Sequence, residues 1–410
     1  MTLLTTCRTC AGTNLYMFLP LGDHPPANAF LAEESLDRPE ATFPLDCQVC
    51  LDCALVEVSD QLPPDFFDDY VYVPSASDTM RAHFRAFAAR IADGVMSVPG
   101  DLVVDIGCND GLLLVACQEQ GLLTLGVEPA ANIASLARAQ GVEVVNDYFT
   151  PETAARVRDG YGQAKVITTT NTFNHIDDLH AFMVGVDELL ARDGTFIVEV
   201  PRALDLVENS EFDTVYHEHL STFSVTSLAA LYRRFAMRIV DIEPLPVHGG
   251  SMRVFGRRHT GDAPEVAPVR EWLDLERAHG LFERQTYDAL AERVRGIRAD
   301  LLAMLADLKA QGKRLAGYGA PAKGNTLLNY AHIGPDTLDF LADRNELKQG
   351  RYSPGMRIPV VGPEVIAEAR PDYLLILAWN FADEIMGQLE GYRQGGGKFI
   401  IPIPEPRIVG

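Results

Sequence analysis

The stretch from Val103 to Gly111, VVDIGCNDG, decides the fold. Apolar residues run into an acid, Asp105, and a turn carrying Gly107, Asn109 and Gly111 leads into the helical pattern LLLVACQE. This is a strand, a glycine-rich turn and a helix, the opening unit of a nucleotide-type α/β fold. It lacks G-x-G-x-x-G spacing, because Asn109 stands where a second glycine would be. Working outward from it, Asp101 to Pro201 alternates strand runs (LTLGVEP, VEVVND, KVITTTN, GTFIVEVP) with helical segments such as AANIASLARAQG. That rhythm predicts a doubly wound parallel sheet, whose ligands sit at the carboxyl ends of the strands.

The ligand follows from what stands at those ends. Glu128, with Pro129 after it, closes the second strand about twenty residues beyond the first turn, where a carboxylate can accept both hydroxyls of a ribose. Asp147, in NDYF after the third strand, is placed to meet an adenine amino group. Asn171, after the fourth, lies where a methionine tail would run. An acid opening the first turn, glycines for close backbone approach and Glu128 together suit S-adenosylmethionine, which has no pyrophosphate to cradle, better than NAD.

Five of the seven cysteines fall within the first 53 residues, and no export signal accompanies them. CRTC (Cys7, Cys10) and CLDC (Cys50, Cys53) are C-x-x-C pairs forty residues apart. Each pair aims two thiolates at one point, and two pairs complete a tetrahedral sulfur site suited to structural zinc. Cys47 is also in C-x-x-C register with Cys50, which leaves a second choice of pair open. The formal net charge of −22 argues against nucleic acid or an anionic membrane as partner. No apolar run is long enough to span a bilayer and the start has no signal pattern, so a cytoplasmic protein is expected.

Two further features carry chemistry. After amphipathic helical stretches from Pro268 to Lys309, a new α/β pattern begins at KRLAGYGAPAKGN. Its glycines, Gly317, Gly319 and Gly324, fit neither a P-loop nor a strict dinucleotide fingerprint. Lys323 beside a helix N-terminus could still bind a pyrophosphate. The second feature is VYHEHLSTFS, Val215–Ser224, where His217 and His219 flank Glu218. An H-E-x-x-H metal site would require histidine where Ser221 stands, so proton transfer or a structural cluster is favoured over metal.

In fixed order, the two-pair cysteine segment, DIGCNDG, FNHIDDL, EFDTVYHEHLSTFS, HGGSMR and GYGAPAKGNTLLN resemble the S-adenosylmethionine-dependent C-methyltransferases of nucleotide-linked 4-keto deoxysugars from antibiotic pathways. The resemblance covers nearly the whole chain. It implies an α/β protein of three domains: a small zinc-binding unit (1–75), a class I methyltransferase Rossmann-like core (76–244) and a C-terminal Rossmann-like α/β domain (245–410) that helps hold the sugar nucleotide. It places the chemistry on Tyr216, Glu218 and His219, with His175 and Tyr70 also lining the pocket. Carbon has no lone pair, so methylation beside a ketone first requires removal of a proton, a task for a base near neutral pKa. His219 is expected as that base, Tyr216 as relay or enolate donor, Glu218 as a group that orients a neighbour or binds the sugar, and His175 as a donor to the enolate oxygen; His217 is expected to be structural.

On the sugar-nucleotide side the family implies Ser251 and Arg253 of HGGSMR, Lys323, Asn325, Arg344, Lys348 and Tyr352. The expected partner is a dTDP-linked 4-keto-6-deoxysugar methylated at C-3, and three domains around one cleft make a monomer the expected state. The rival readings are N- or O-methylation, an NAD oxidoreductase using the C-terminal glycine loop, and a zinc-ribbon interaction module.

Overall fold

The computed structural model describes residues 4–59, 78–93, 97–259 and 265–410. The N-terminal unit is an antiparallel sheet of β1 (Leu15–His24), β2 (Phe43–Cys50) and β3 (Val56–Val58). Its fourth strand comes from far along the chain, Ser221–Thr222, with Val56 opposite Thr222 and Glu57 opposite Ser221.

The central sheet alternates with helices: α1 (Asp78–Ile91), β4 (Leu102–Ile106), α2 (Leu112–Glu119), β5 (Leu123–Val127), α3 (Ala131–Ala139), β6 (Val144–Val145), α4 (Pro151–Tyr161), β7 (Ala164–Thr170), α5 (Leu179–Leu189) and β8 (Leu190–Pro201). Local chemistry sets several helix starts. Thr150 caps α4 by accepting from the Thr153 amide, with Pro151 in the first turn, and Asp178 caps α5 through the Ala181 amide. After α6 (Ala203–Glu208) and the two-residue strand β9 (Ser221–Thr222), a Ser224–Ser227 capping box opens α7 (Val225–Arg233).

The hairpin of β10 (Met237–Leu245) and β11 (Ser251–Arg258) then completes a seven-stranded sheet of order β10-β11-β8-β7-β4-β5-β6. β4 to β8 are parallel, whereas β11 runs antiparallel to β8. The strand order reverses between β4 and β7, so a crevice opens above their carboxyl ends. The sequence division at 245 puts β11 in the C-terminal unit, yet it pairs in the central sheet. An antiparallel edge hairpin leaves no mark in a β/α rhythm.

Helices α8 (Ala267–Ala278) and α9 (Arg284–Ala310) lead to the last unit. There β12 (Leu315–Tyr318), β13 (Leu341–Ala342), β14 (Val360–Val361), β15 (Tyr373–Ile376), β16 (Lys398–Ile401) and β17 (Arg407–Val409) are ordered β14-β13-β12-β15-β16-β17, with α10 (Ala322–Ala331) after β12. Only β17 is antiparallel. Among the described residues no helix is long and apolar enough to cross a membrane.

The units share cores. One apolar cluster joins Phe18, Leu45 and Val56 of the N-terminal sheet to Tyr287, Leu290 and Leu301 of α9 and to Leu327 and Leu375 of the C-terminal domain. Leu290 is fully buried at this junction. Leu290→Ala should therefore lower the stability of the whole molecule by about 2–5 kcal/mol, read as a shifted denaturant midpoint with one transition for both ends of the chain.

Candidate active site

The cysteine cluster comes together as two turns. The sulfurs of Cys7, Cys10, Cys50 and Cys53 all lie within 4.8 Å of one another, with Cys7–Cys53 and Cys10–Cys50 at 3.6 Å. A tetrahedral zinc–thiolate centre separates its sulfurs by about 3.8 Å, so the donor set fits zinc. Cys47 is elsewhere, buried in β2 opposite Val58 and Leu19. Four protein sulfurs leave no position for a reacting ligand, and the metal would hold the turns together.

A cleft of about 840 Å³ runs between the carboxyl ends of the two parallel sheets. On the central side it is walled by Asp105, Gly107, Asn109, Glu128, Pro129 and Asn171. Gly107 has φ +71°, and a Cβ there would strike the Thr172 side chain. Gly111 (φ +81°) leads into α2, packed against Ala137 and Val142. Glu128 accepts from the Asn109 amide (3.1 Å) and the Ala130 amide (3.0 Å), which fixes the loop and leaves lone pairs for a ribose diol. Asp105 accepts from Thr168 Oγ1 at 2.7 Å, and burial pushes its carboxyl up to about 7. Burial also raises Glu128, opposed by the Ala130 and Asn109 amides. Met80 and Phe84 of α1 add an apolar wall that no sequence motif marked.

The loop between α6 and β9 brings Tyr216 and His219 to the same cleft, whereas Glu218 is buried and absent from its lining. His219 Nδ1 lies 2.9 Å from the Thr214 carbonyl, which can only accept, so this nitrogen carries the proton. Nε2 is then the lone-pair nitrogen and accepts from the Tyr216 hydroxyl at 2.5 Å. The His175 ring stands edge-on to His219 at 5.0 Å, and burial lowers it to about 4, so it is neutral at pH 7. Asn28, from the N-terminal unit, donates to both Glu218 oxygens at 2.8 Å. Burial raises Glu218 to about 7, opposed by that amide and by Lys348. His217 donates from Nε2 to the carbonyls of Phe43 (3.2 Å) and Pro44 (3.1 Å) and so ties the loop to β2.

Three family models match successive parts of the chain: a zinc binding domain (7–67), a methyltransferase domain (80–241) and a C-methyltransferase C-terminal domain (246–404). C-methyltransferase NovU of Streptomyces niveus is 38% identical over 98% of this chain and 96% of its own length. The chain belongs to the S-adenosylmethionine-dependent C-methyltransferases. Solved structures share more distant likenesses. The magnesium protoporphyrin IX methyltransferase of Synechocystis PCC 6803 with bound SAM is 15% identical, with TM-score 0.34, over 47% of this chain and 86% of that one. CcbJ of Streptomyces caelestis is 13% identical, with TM-score 0.35, over 43% and 90%.

In this C-methyltransferase some expected site residues lie away from the cleft lining. Asp147 pairs with Arg156 (2.5 Å) and receives Thr153 (3.4 Å), while Tyr148 and Phe149 form the wall instead. Ser251 donates to the Val247 carbonyl, and Arg253 is buried against Glu199 and Glu243. Asn325 donates to the Ala27 carbonyl, and Tyr352 bridges Leu31 and Pro359. These residues join elements together, Tyr352 through its backbone and the others through their side chains, and the linear motif does not reveal their partners. Lys323, Arg344 and Lys348 do line the cleft. Tyr70 lies outside the described residues.

Two outcomes follow from this geometry. Asp105→Asn should stabilise the protein more at pH 8 than at pH 5. The buried acid is raised from 3.8 to about 7, so its destabilising charge builds up as pH rises through that window, and the amide carries none. Chemical denaturation at the two pH values checks it, with weaker cofactor binding as the accompanying cost. Stripping zinc, or Cys53→Ser, should cut turnover roughly 100-fold or more by releasing the loop that β3 holds, while S-adenosylmethionine affinity by calorimetry moves only a few-fold.

Proposed function

We propose that this enzyme methylates C-3 of a nucleotide-linked, dTDP-type 4-keto-6-deoxysugar through an enolate, in a deoxysugar pathway of the cytoplasm. The reading rests on one observation: a Tyr216–His219 pair, tautomer fixed by Thr214, set in a cleft that also carries the donor-site residues. A nitrogen or oxygen acceptor carries its own lone pair and needs less base machinery, and the full-length relative is a C-methyltransferase. NovU being one also speaks against the oxidoreductase and the interaction module.

His219 Nε2 takes the proton, directly or through the Tyr216 hydroxyl. Removing a proton beside a ketone puts charge on its oxygen, and a neutral His175 N–H or the Tyr216 hydroxyl is the donor there. Glu218 accepts the Asn28 amide and so orients this cleft-lining side chain toward the sugar. Lys323 and Arg344 balance the diphosphate, and Lys348 supports Glu218 from the same wall. Asp105, Gly107, Asn109, Gly111, Glu128, Pro129 and Asn171 hold S-adenosylmethionine, which when bound supplies an electrophilic methyl group. The chain needs only to align carbon and methyl and to keep water out. The proposed division is a zinc unit (1–75), a core (76–244) whose sheet also takes in β11, and a C-terminal domain (245–410).

The test is incubation with S-adenosylmethionine and a panel of dTDP-4-keto-6-deoxysugars, with and without a 3-amino group, read by mass and NMR. One added methyl on C-3 is expected, and His219→Asn should lose at least about 100-fold in turnover with donor affinity intact. A C-4 ketone also acidifies C-5, so a methyl found there would move the acceptor carbon and keep the enolate chemistry. No gain on any sugar would sink the substrate assignment.

A further inference from the structure

The proton on His219 is placed by a carbonyl, and that carbonyl belongs to a short turn, Phe212–Thr214. Asp213, in the middle of this turn, is fully buried. Its Oδ2 accepts from the indole nitrogen of Trp379 at 2.7 Å. Trp379 stands on the turn Trp379–Phe381 after β15, in the C-terminal domain. Its neighbours Ala378, Asn380 and Phe381 line the cleft, whereas Trp379 is absent from that lining. Two further contacts brace the same loop from α10: Thr326 Oγ1 donates to the Val215 carbonyl at 3.3 Å, and the Tyr330 ring meets Phe212 edge-on at 5.4 Å.

We infer that Trp379 and Asp213 are positioning residues that hold the Thr214 carbonyl on His219 Nδ1 and so keep Nε2 unprotonated toward Tyr216. The inference rests on the reading of His219 as the base. A histidine has two neutral tautomers, and which nitrogen is protonated depends on the hydrogen bond made by the other. If the turn rotated, Nδ1 would lose its acceptor, and the tautomer with Nε2 protonated, which cannot take a proton at that atom, would gain population. A buried carboxylate tied to an indole from another domain resists that rotation, since breaking the bond leaves a buried charge short of a donor. The charged groups around the turn are Glu211 beside it, Asp205 with Arg202 at α6, and Lys323, whose ammonium lies 5.5 Å from the Trp379 ring. Lys323 and the indole both favour the Asp213 carboxylate against the burial that raises it. The C-terminal domain thereby acts on the base as well as on the cleft wall.

The experiment is nitrogen-15 NMR of histidine-labelled full-length protein in its zinc form, with the His219 ring identified by its loss in His219→Asn. The wild type should show protonated Nδ1 and unprotonated Nε2. Trp379→Phe, which keeps a ring under Lys323, and Asp213→Ala should both give a tautomer mixture, and turnover should fall about tenfold with S-adenosylmethionine affinity within twofold. Asp213→Asn keeps an acceptor for the indole and should restore the single tautomer relative to Asp213→Ala. Unchanged tautomers in Trp379→Phe and Asp213→Ala, or an Asp213→Asn protein as mixed as Asp213→Ala, would overturn the inference. His219→Asn retaining turnover would instead bring down the base assignment itself, so the two failures are separable.

Discussion

The pairing of β3 with β9 is the constraint on which the rest depends. Two residues, Ser221 and Thr222, leave the methyltransferase core to become the last strand of the zinc-bearing sheet, and the Val58 amide reaches Leu220 just before them. The reactive loop is thus attached at its end to a sheet whose own end is fastened by four sulfurs. His217 and Asn28 add bonds from the same side, and Thr326 and Trp379 hold it from the other. A loop proposed to carry proton-transfer groups must be held to fractions of an ångström, and here neighbouring units supply the support that the central sheet does not. A metal held by those sulfurs would therefore lie within one hydrogen-bond ladder of the site.

The two parallel sheets repeat one device. At the end of the second strand in each, a carboxylate accepts the backbone of the glycine-rich loop after the first strand: Glu128 takes the Asn109 amide, and Asp343 takes the Ala320 amide at 2.6 Å. In each case the acid stiffens a loop that faces the cleft. Asp343 has both oxygens engaged, the second by the Asn345 amide. The two Rossmann-like halves meet across the cleft with their carboxyl ends facing, so donor and acceptor ligands enter one shared volume.

Much of this was legible in the sequence because it is local. The cysteine pairs, the VVDIGCNDG turn and the β/α rhythm each occupy a few consecutive residues, and a short motif carries its own geometry. Tyr216 and His219 stood out through the family resemblance of the motif that holds them, whereas the hydrogen bond between them is a finding of the structure. What could not be read depends on meetings between distant segments. Asn28 is one polar residue in a proline-bearing loop, and nothing in its neighbourhood points to Glu218. Trp379 meets Asp213 across 166 positions. Asp147, by contrast, stands at the expected strand end, but Arg156 nine residues on claims its carboxylate. The edge hairpin of β10 and β11 was missed because antiparallel closure breaks the rhythm that identified the other strands.

The apolar cluster that joins the first sheet to α9 has a consequence for synthesis on the ribosome. Phe18 and Leu45 emerge early, but their partners Tyr287, Leu290 and Leu301 follow more than two hundred residues later. At about 5–20 residues per second, the N-terminal sheet waits on the order of ten seconds or more without its covering helix or its fourth strand. During that interval the four-cysteine turns, once loaded, can close with the pairing of β1, β2 and β3 from the segment's own residues. Zinc bound at that stage would order the segment well before there is an active site to serve.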